Sequence, residues 1–122
     1  MASIIRLPSY RDQRGRLTVI DGLLPFAIAR VYYVYAATDK PRGGHRHRKT
    51  VQALVSVAGS CVVDWTNGFQ KGVETLNAPD KLLLVQPEDW HVMRDFSADS
   101  VLLVLASEPF DASDYIDEEY DS

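Results

Sequence analysis

Arg42-Gly43-Gly44-His45-Arg46-His47-Arg48-Lys49 is the stretch on which the reading of this chain turns. Two histidines stand at i and i+2 among four cations, downstream of a β-rich segment. Alternate residues of a strand share a face, so His45 and His47 can point together into a cavity while Arg46 and Arg48 point away. A small β-barrel makes a site in this way.

The rest of the chain supplies the strands for such a barrel. Leu17-Thr18-Val19-Ile20 follows the turn signal Arg14-Gly15-Arg16, and Ala29 to Tyr35 mixes aromatic and β-branched residues, with Val31, Tyr33 and Tyr35 on one face and Tyr32 and Val34 on the other. Val51 to Val57, Lys81 to Gln86 and Val101 to Ala106 read as further strands. Asn67-Gly68 marks a hairpin, with a type I′ turn expected. Only Asp111-Ala112-Ser113-Asp114-Tyr115-Ile116 reads as a helix, a short C-terminal one with acidic residues suited to its first turn. The expected fold is therefore all-β, a jelly-roll barrel with a short C-terminal helix, in one domain spanning residues 1–122.

Composition narrows the function. The chain is 122 residues long and 46% hydrophobic, enough for one real core. No apolar run approaches the ~20 residues of a membrane span, and residues 1–8 lack the apolar segment of a signal peptide, so the expectation is a soluble cytoplasmic protein with no membrane partner. Cys61, the single cysteine, reads as a buried strand thiol. Six of the 17 acidic residues and none of the 13 basic ones fall in residues 111–122, which leaves residues 1–110 with 11 anions against 13 cations. That excess is too small for a phosphate-tracking stripe, so no nucleic acid is expected as a partner. The cations do cluster, Lys40, Arg42, Arg46, Arg48 and Lys49 around the histidines, and Arg11, Arg14 and Arg16 at the N-terminal turn. They read either as a solvated face or as holders of an anionic ligand such as a diphosphate.

From His47, Gln52 comes five residues later and Gly59 seven after that, the spacing of the first cupin motif, with Gln52 standing where the motif has Glu. A metal cupin uses that carboxylate together with the two histidines and a later one; here His91, after Pro87, stands near the second motif. A neutral amide lowers divalent-metal affinity, whereas imidazoles titrating near 6.5 are suited to proton transfer at neutral pH. Since His45, His47 and Gln52 differ in parity, an uninterrupted strand would put Gln52 on the opposite face, and a turn near Arg48-Lys49-Thr50 would restore it. Taken alone, Tyr33 reads as a core aromatic as readily as a site residue, and Trp90 as core packing or a pocket wall.

Beyond these motifs, an ordered set of pieces along nearly the whole chain resembles the cupin-fold sugar nucleotide 3,4-ketoisomerases that act on dTDP-4-keto-6-deoxyglucose. The pieces are residues 14–22, Pro25-Phe26, Arg30-Val31-Tyr32-Tyr33, residues 42–47, Gly59-Ser60-Cys61, Trp90-His91-Val92-Met93 with Asp95-Phe96-Ser97, residues 101–107 and Asp114-Tyr115-Ile116. The resemblance implies an enzyme that uses no metal and no cofactor, a domain-swapped homodimer, and isomerisation through an enediol or enediolate. By position, His47 is then the base that takes the C3 proton and returns one to C4, His45 moves protons between O3 and O4, and Tyr33 hydrogen-bonds the sugar. Arg14 and Arg42 position the nucleotide or sugar, with Arg16, Gln52, Trp90 and His91 as further substrate-binding candidates. His91 and Arg14 resemble the members that form the galacto product, and the resemblance places a later aminotransferase downstream. Gly44 and Arg46 depart from the family pattern, and Gly44 would widen the pocket. A metal-dependent cupin with His45, His47, His91 and Gln52 as ligands, a sugar-nucleotide binding module without catalysis and a related 3,5-epimerase are the alternative readings.

Overall fold

The structure, a computed structural model, describes residues 1–121. Its strands are β1 (Ser3–Arg6), β2 (Ser9–Asp12), β3 (Gly15–Thr18), β4 (Arg30–Tyr35), β5 (Arg42–His47), β6 (Gln52–Ala58), β7 (Cys61–Thr66), β8 (Lys71–Leu76), β9 (Lys81–Val85), β10 (Trp90–Arg94), β11 (Val101–Ala106) and β12 (Tyr115–Ile116). Two five-stranded sheets, ordered β1-β9-β6-β11-β4 and β12-β5-β10-β7-β8, form the barrel, and β2 and β3 make a separate hairpin. All the pairings are antiparallel. This is the all-β jelly-roll architecture expected from the sequence. Among the described residues no helix is long and apolar enough to cross a membrane.

Strand alternation divides the apolar residues into two cores. Val34, Leu54, Cys61, Val63, Trp65, Leu76, Leu83, Val85, Met93, Leu102 and Val104 pack between the sheets, while Ala53, Val55, Leu82, Leu84 and Leu105 point outward from the first sheet and are covered by Ile20, Leu24 and Phe26. The first sheet is thus buried on both faces, which is why β6, β9 and β11 read as continuous apolar runs. Each fully buried leucine contributes about 2 kcal/mol by removal from water. Cys61 lies in the inner core, as its strand context suggested.

Two local expectations change. Between β7 and β8 runs a four-residue loop, Asn67–Gln70, in which Gly68 alone takes positive φ and Asn67 Oδ1 accepts from the Phe69 and Gln70 amides at 2.9 and 2.7 Å. The hairpin is where Asn-Gly placed it, but an Asx-type turn replaces the type I′ turn because the Asn side chain caps the loop. The C-terminal helix shrinks to one 3-10 turn, Ala112–Asp114, after which Tyr115 and Ile116 pair with His47 and Arg46 of β5. Extending the helix would have removed Asp114 from the four donors that it satisfies at the turn after β5.

Candidate active site

The two glycines before His45 aim the site. β5 opposes β10 with His91 against His45 but Val92 against Gly43, so Gly44 is the extra residue of a bulge, and both glycines have positive φ. A Cβ on Gly43 would sit 2.8 Å from the His91 carbonyl oxygen, whereas one on Gly44 would meet Trp90 Cζ2 at 3.9 Å. Gly44 therefore answers a backbone requirement at φ +80°.

With the bulge in place, three imidazoles converge. Ring centroids lie 5.2 Å apart for His45 and His47, 5.3 Å for His45 and His91, and 6.5 Å for His47 and His91. The turn after His47 carries the chain from the second sheet to the first, and Gln52 enters the barrel from the opposite side. It is buried, and its Nε2 donates to the Tyr32 hydroxyl at 3.1 Å. The parity mismatch between His47 and Gln52 is thus resolved by a change of sheet.

That turn is held by Asp114, which the sequence placed in a short helix and among the family pieces but not among the site residues. Its carboxylate accepts from the Arg48 amide at 3.1 Å, the Lys49 amide at 2.9 Å, the Thr50 hydroxyl, and His47 Nδ1 at 2.9 Å. Burial acts to raise the Asp114 pKa, but the hydrogen bonds from Thr50, Lys49 and His47 outweigh it and the net shift is downward. With Asp114 ionised, His47 must carry its proton on Nδ1, and Nε2 holds a lone pair. Nε2 is buried without a hydrogen-bond partner. Desolvation depresses the His47 pKa despite the opposing pull of Asp114, so the ring is neutral at pH 7. A neutral, oriented imidazole with an idle acceptor is the equipment of a general base.

His91 and His45 are also neutral. Burial pushes His91 down to about 4, and its Nδ1 lies 3.0 Å from the Asp89 carbonyl oxygen, which as an acceptor fixes the proton there. Burial, followed by the neighbouring His47, lowers the His45 pKa, while Asp117 and a backbone hydrogen bond to Gly43 oppose the shift. Fixed Nδ1 protons would also suit metal-ligating histidines. However, among the described residues no group of three or more His, Cys, Asp and Glu is arranged to hold a metal ion, and the remaining candidate, Gln52, is an amide.

Three residues missed as site members complete the cluster. Tyr115 packs edge-on against both histidines, with centroids 4.7 Å from His45 and 4.6 Å from His47. Arg30 Nη1 donates to the Tyr115 hydroxyl at 3.4 Å, and the Arg30 guanidinium lies over the Tyr32 ring at 4.4 Å. Tyr32 is the tyrosine of β4 that faces inward, and burial raises its pKa. The alternation of β4 was the available signal for Tyr32; the proximity of Tyr115 depends on β12 pairing with β5, which no local pattern encodes.

Other predicted positions lie elsewhere. Tyr33 is on the outer face of β4, 61% exposed and packed against Tyr35, because alternation places it opposite Tyr32; the chain does not bring it to its own histidines. Trp90 likewise points out of β10, opposite to His91, and its Nε1 donates to the Asp117 carbonyl at 3.1 Å. It lines an outer groove with Asp64, Lys71 and Val73, not the histidine cavity. Arg14 and Arg16 sit on the exposed β2–β3 arm, where Arg14 is ion-paired with Asp12 at 2.5 Å. Arg42 is exposed at the start of β5 and close enough to Tyr32 to favour its ionised form. Of the other cations, Arg46 stacks on Tyr120 and Arg48 binds the Ser113 carbonyl, so both hold the C-terminal segment.

Comparison with known proteins gives this geometry its relatives. The family model described as FdtA, WxcM-like, C-terminal matches residues 1–122. The TDP-4-oxo-6-deoxy-alpha-D-glucose-3,4-oxoisomerase of Aneurinibacillus thermoaerophilus is 42% identical over 122 residues, covering 98% of this chain and 87% of the relative. A 3,4-ketoisomerase from Helicobacter canadensis superposes with a TM-score of 0.91 at 35% identity, covering 96% of this chain and 90% of that one. A histidine-to-asparagine mutant of the 3,4-ketoisomerase QdtA from Thermoanaerobacterium thermosaccharolyticum, in complex with TDP-4-keto-6-deoxyglucose, superposes with a TM-score of 0.91 at 37% identity, covering 96% of this chain and 87% of that one. With the family model spanning its whole length and relatives of this identity, the chain belongs to the FdtA, WxcM-like family.

Proposed function

We propose that the protein is a sugar nucleotide 3,4-ketoisomerase that converts dTDP-4-keto-6-deoxyglucose to the 3-keto isomer, as its relatives' names describe for them. The observation that carries the mechanism is the His47 to Asp114 hydrogen bond at 2.9 Å together with the unpartnered Nε2. His47 Nε2 removes the C3 proton and later delivers it to C4, and Asp114 holds the tautomer and stabilises the imidazolium formed between the two steps. His45 takes up the O3 proton. A buried acceptor without a partner is costly by about 1–3 kcal/mol, and a substrate C–H placed against it turns that cost to use. Gln52 Oε1, also buried and unpartnered, is available to a sugar hydroxyl. Arg42, at the start of the strand that carries both histidines, is the cation for the diphosphate within the chain.

The reaction moves protons only, so the reading requires neither metal nor redox cofactor. The galacto product is the stereochemical assignment, following His91 and Arg14. The protein is a homodimer in which the β2–β3 arm crosses to a second copy. In support, Tyr10 and Leu17 pair across the arm and are both largely exposed, as are Val31, Tyr33 and Tyr35 on β4 at the sheet edge. A second copy would cover these faces and bring Arg14 and Arg16 to a partner site.

Proton NMR of dTDP-4-keto-6-deoxyglucose incubated with the protein reports both turnover and configuration at C4. Conversion that survives exhaustive chelation and falls at least ~10²-fold in His47→Asn, with dTDP binding retained, is the expected result. Near-normal turnover in His47→Asn refutes the base assignment, and activity lost on chelation and restored by a stoichiometric metal favours a metal cupin.

A further inference from the structure

The proton inventory of the cavity is one-sided. His47 commits its N–H to Asp114 and His91 commits its own to the Asp89 carbonyl. His45 carries a backbone hydrogen bond to Gly43. All three rings are depressed in pKa, so at neutral pH each offers a lone pair and none an acidic proton. Removing a proton beside a carbonyl, however, places negative charge on the carbonyl oxygen, and a buried oxyanion without a donor is prohibitive.

Two hydroxyls in the cluster have a free O–H. Tyr32 accepts from Gln52 Nε2 and Tyr115 accepts from Arg30, which leaves each phenol proton available. They differ in placement. Tyr32 lies across the barrel on β4 and holds its proton tightly because it is buried. Tyr115 is in register with His47, its ring touches both His45 and His47, and its oxygen has a guanidinium beside it to stabilise a phenolate.

Resting on the ketoisomerase reading, we infer that Tyr115, supported by Arg30, is the acid that protonates O4 as His47 removes the C3 proton. The step balances without an added reactant. The C3–H bond breaks and its proton goes to His47 Nε2; its electron pair forms the C3=C4 bond, the C4=O4 π pair moves to O4, and O4 takes the proton of the Tyr115 O–H bond. In the second half the O3–H proton passes to the lone pair of His45, C3=O3 forms, and C4 takes the proton from His47. His45, in edge contact with the Tyr115 ring, then returns its proton to the phenolate. Tyr115 gives one proton and receives one, so both the enzyme and the sugar's proton count are restored.

Tyr115→Phe tests this because it deletes one oxygen while keeping the ring that packs on the histidines. Wild-type turnover is measured first by NMR, and a wild type without conversion overturns the ketoisomerase reading and this inference together. With an active wild type, kcat should fall at least ~10²-fold in Tyr115→Phe while KM stays within about threefold and dTDP binding and the thermal midpoint are unchanged. Incorporation of solvent deuterium at C3 of recovered substrate should fall in parallel, since enediol formation itself needs the donor. A loss of kcat smaller than ~10-fold, with His47→Asn inactive, overturns the inference and leaves the ketoisomerase reading standing. Arg30→Met carries the test independently should Tyr115→Phe fold poorly: kcat falls at unchanged KM if the cation supports the phenolate, and an unchanged kcat overturns that support.

Discussion

Replacing Asp114 with Asn separates the carboxylate's structural work from its electronic work. Oδ1 of the substituted side chain can still accept from the Arg48 and Lys49 amides, at 3.1 and 2.9 Å in the native protein, so the turn between β5 and β6 keeps its shape. The amide NH2 then takes the place of Oδ2, facing the Thr50 hydroxyl and His47 Nδ1. The bonds to Thr50 and His47 Nδ1 change most, from charge-assisted to neutral, and with each charged bond worth about 1.5–3 kcal/mol and each neutral one about 1 kcal/mol, their share of the loss of stability is about 1–4 kcal/mol. The catalytic effect is larger. An amide donor at Nδ1 forces the imidazole proton to Nε2, which turns the proposed base into a donor. The analogous change in a Ser-His-Asp triad lowers kcat by about 10⁴-fold for the same tautomeric reason, and a loss of ~10³–10⁴-fold is expected here. Turnover by NMR gives the rate, and ¹⁵N shifts of the His47 ring report which nitrogen is protonated. A variant that keeps Nδ1 protonated, or that retains kcat within ~10-fold while the tautomer switches, refutes the assignment of Asp114 and Nε2.

The bulge and the buried histidines supply the other predictions. Gly43→Ala forces a Cβ to 2.8 Å from a backbone oxygen at φ +92° and should lower the thermal midpoint and displace His45, whereas Gly44→Ala, with 3.9 Å of room, costs only the ~1–2 kcal/mol of a left-handed residue; equal melting curves for the two variants would contradict the bulge geometry. Stability should fall on acidification. His91 binds its proton near 6.5 when unfolded and near 4 when folded, so between those values the unfolded state holds more protons and stability rises with pH. The full contribution is present above pH 6.5 and is lost by about pH 4, roughly 3 kcal/mol from His91, with His45 and His47 acting in the same direction. Denaturant unfolding at pH 7.5 and pH 5 checks the sign, and equal or greater stability at pH 5 would mean that the histidines are not buried in neutral form.

How far the site could be read before the structure depends on whether its information is local. Alternation within a strand is local, and it placed His45 with His47 and Tyr32 opposite Tyr33 before any contact was known. Choosing Tyr33 over Tyr32 came from positional correspondence with a family, because alternation separated the two tyrosines without saying which face of the strand points inward. The same alternation separates Trp90 from His91. The Gly43-Gly44 pair announced a backbone irregularity without saying that its purpose is to bring His45 opposite His91. Asp114 and Tyr115 were legible as family pieces but not as site residues, because they reach the histidines through β12, a two-residue strand 68 positions after its His47 partner. A two-residue strand has no periodicity to detect, and its acidic neighbours imitate a helix start. The barrel could be read from its long strands because each repeats its hydrophobic signal several times; the surroundings of His47 could not be fully read because the carboxylate that orients it and the neighbouring phenol belong to one short return of the chain, held by the four donors that converge on Asp114.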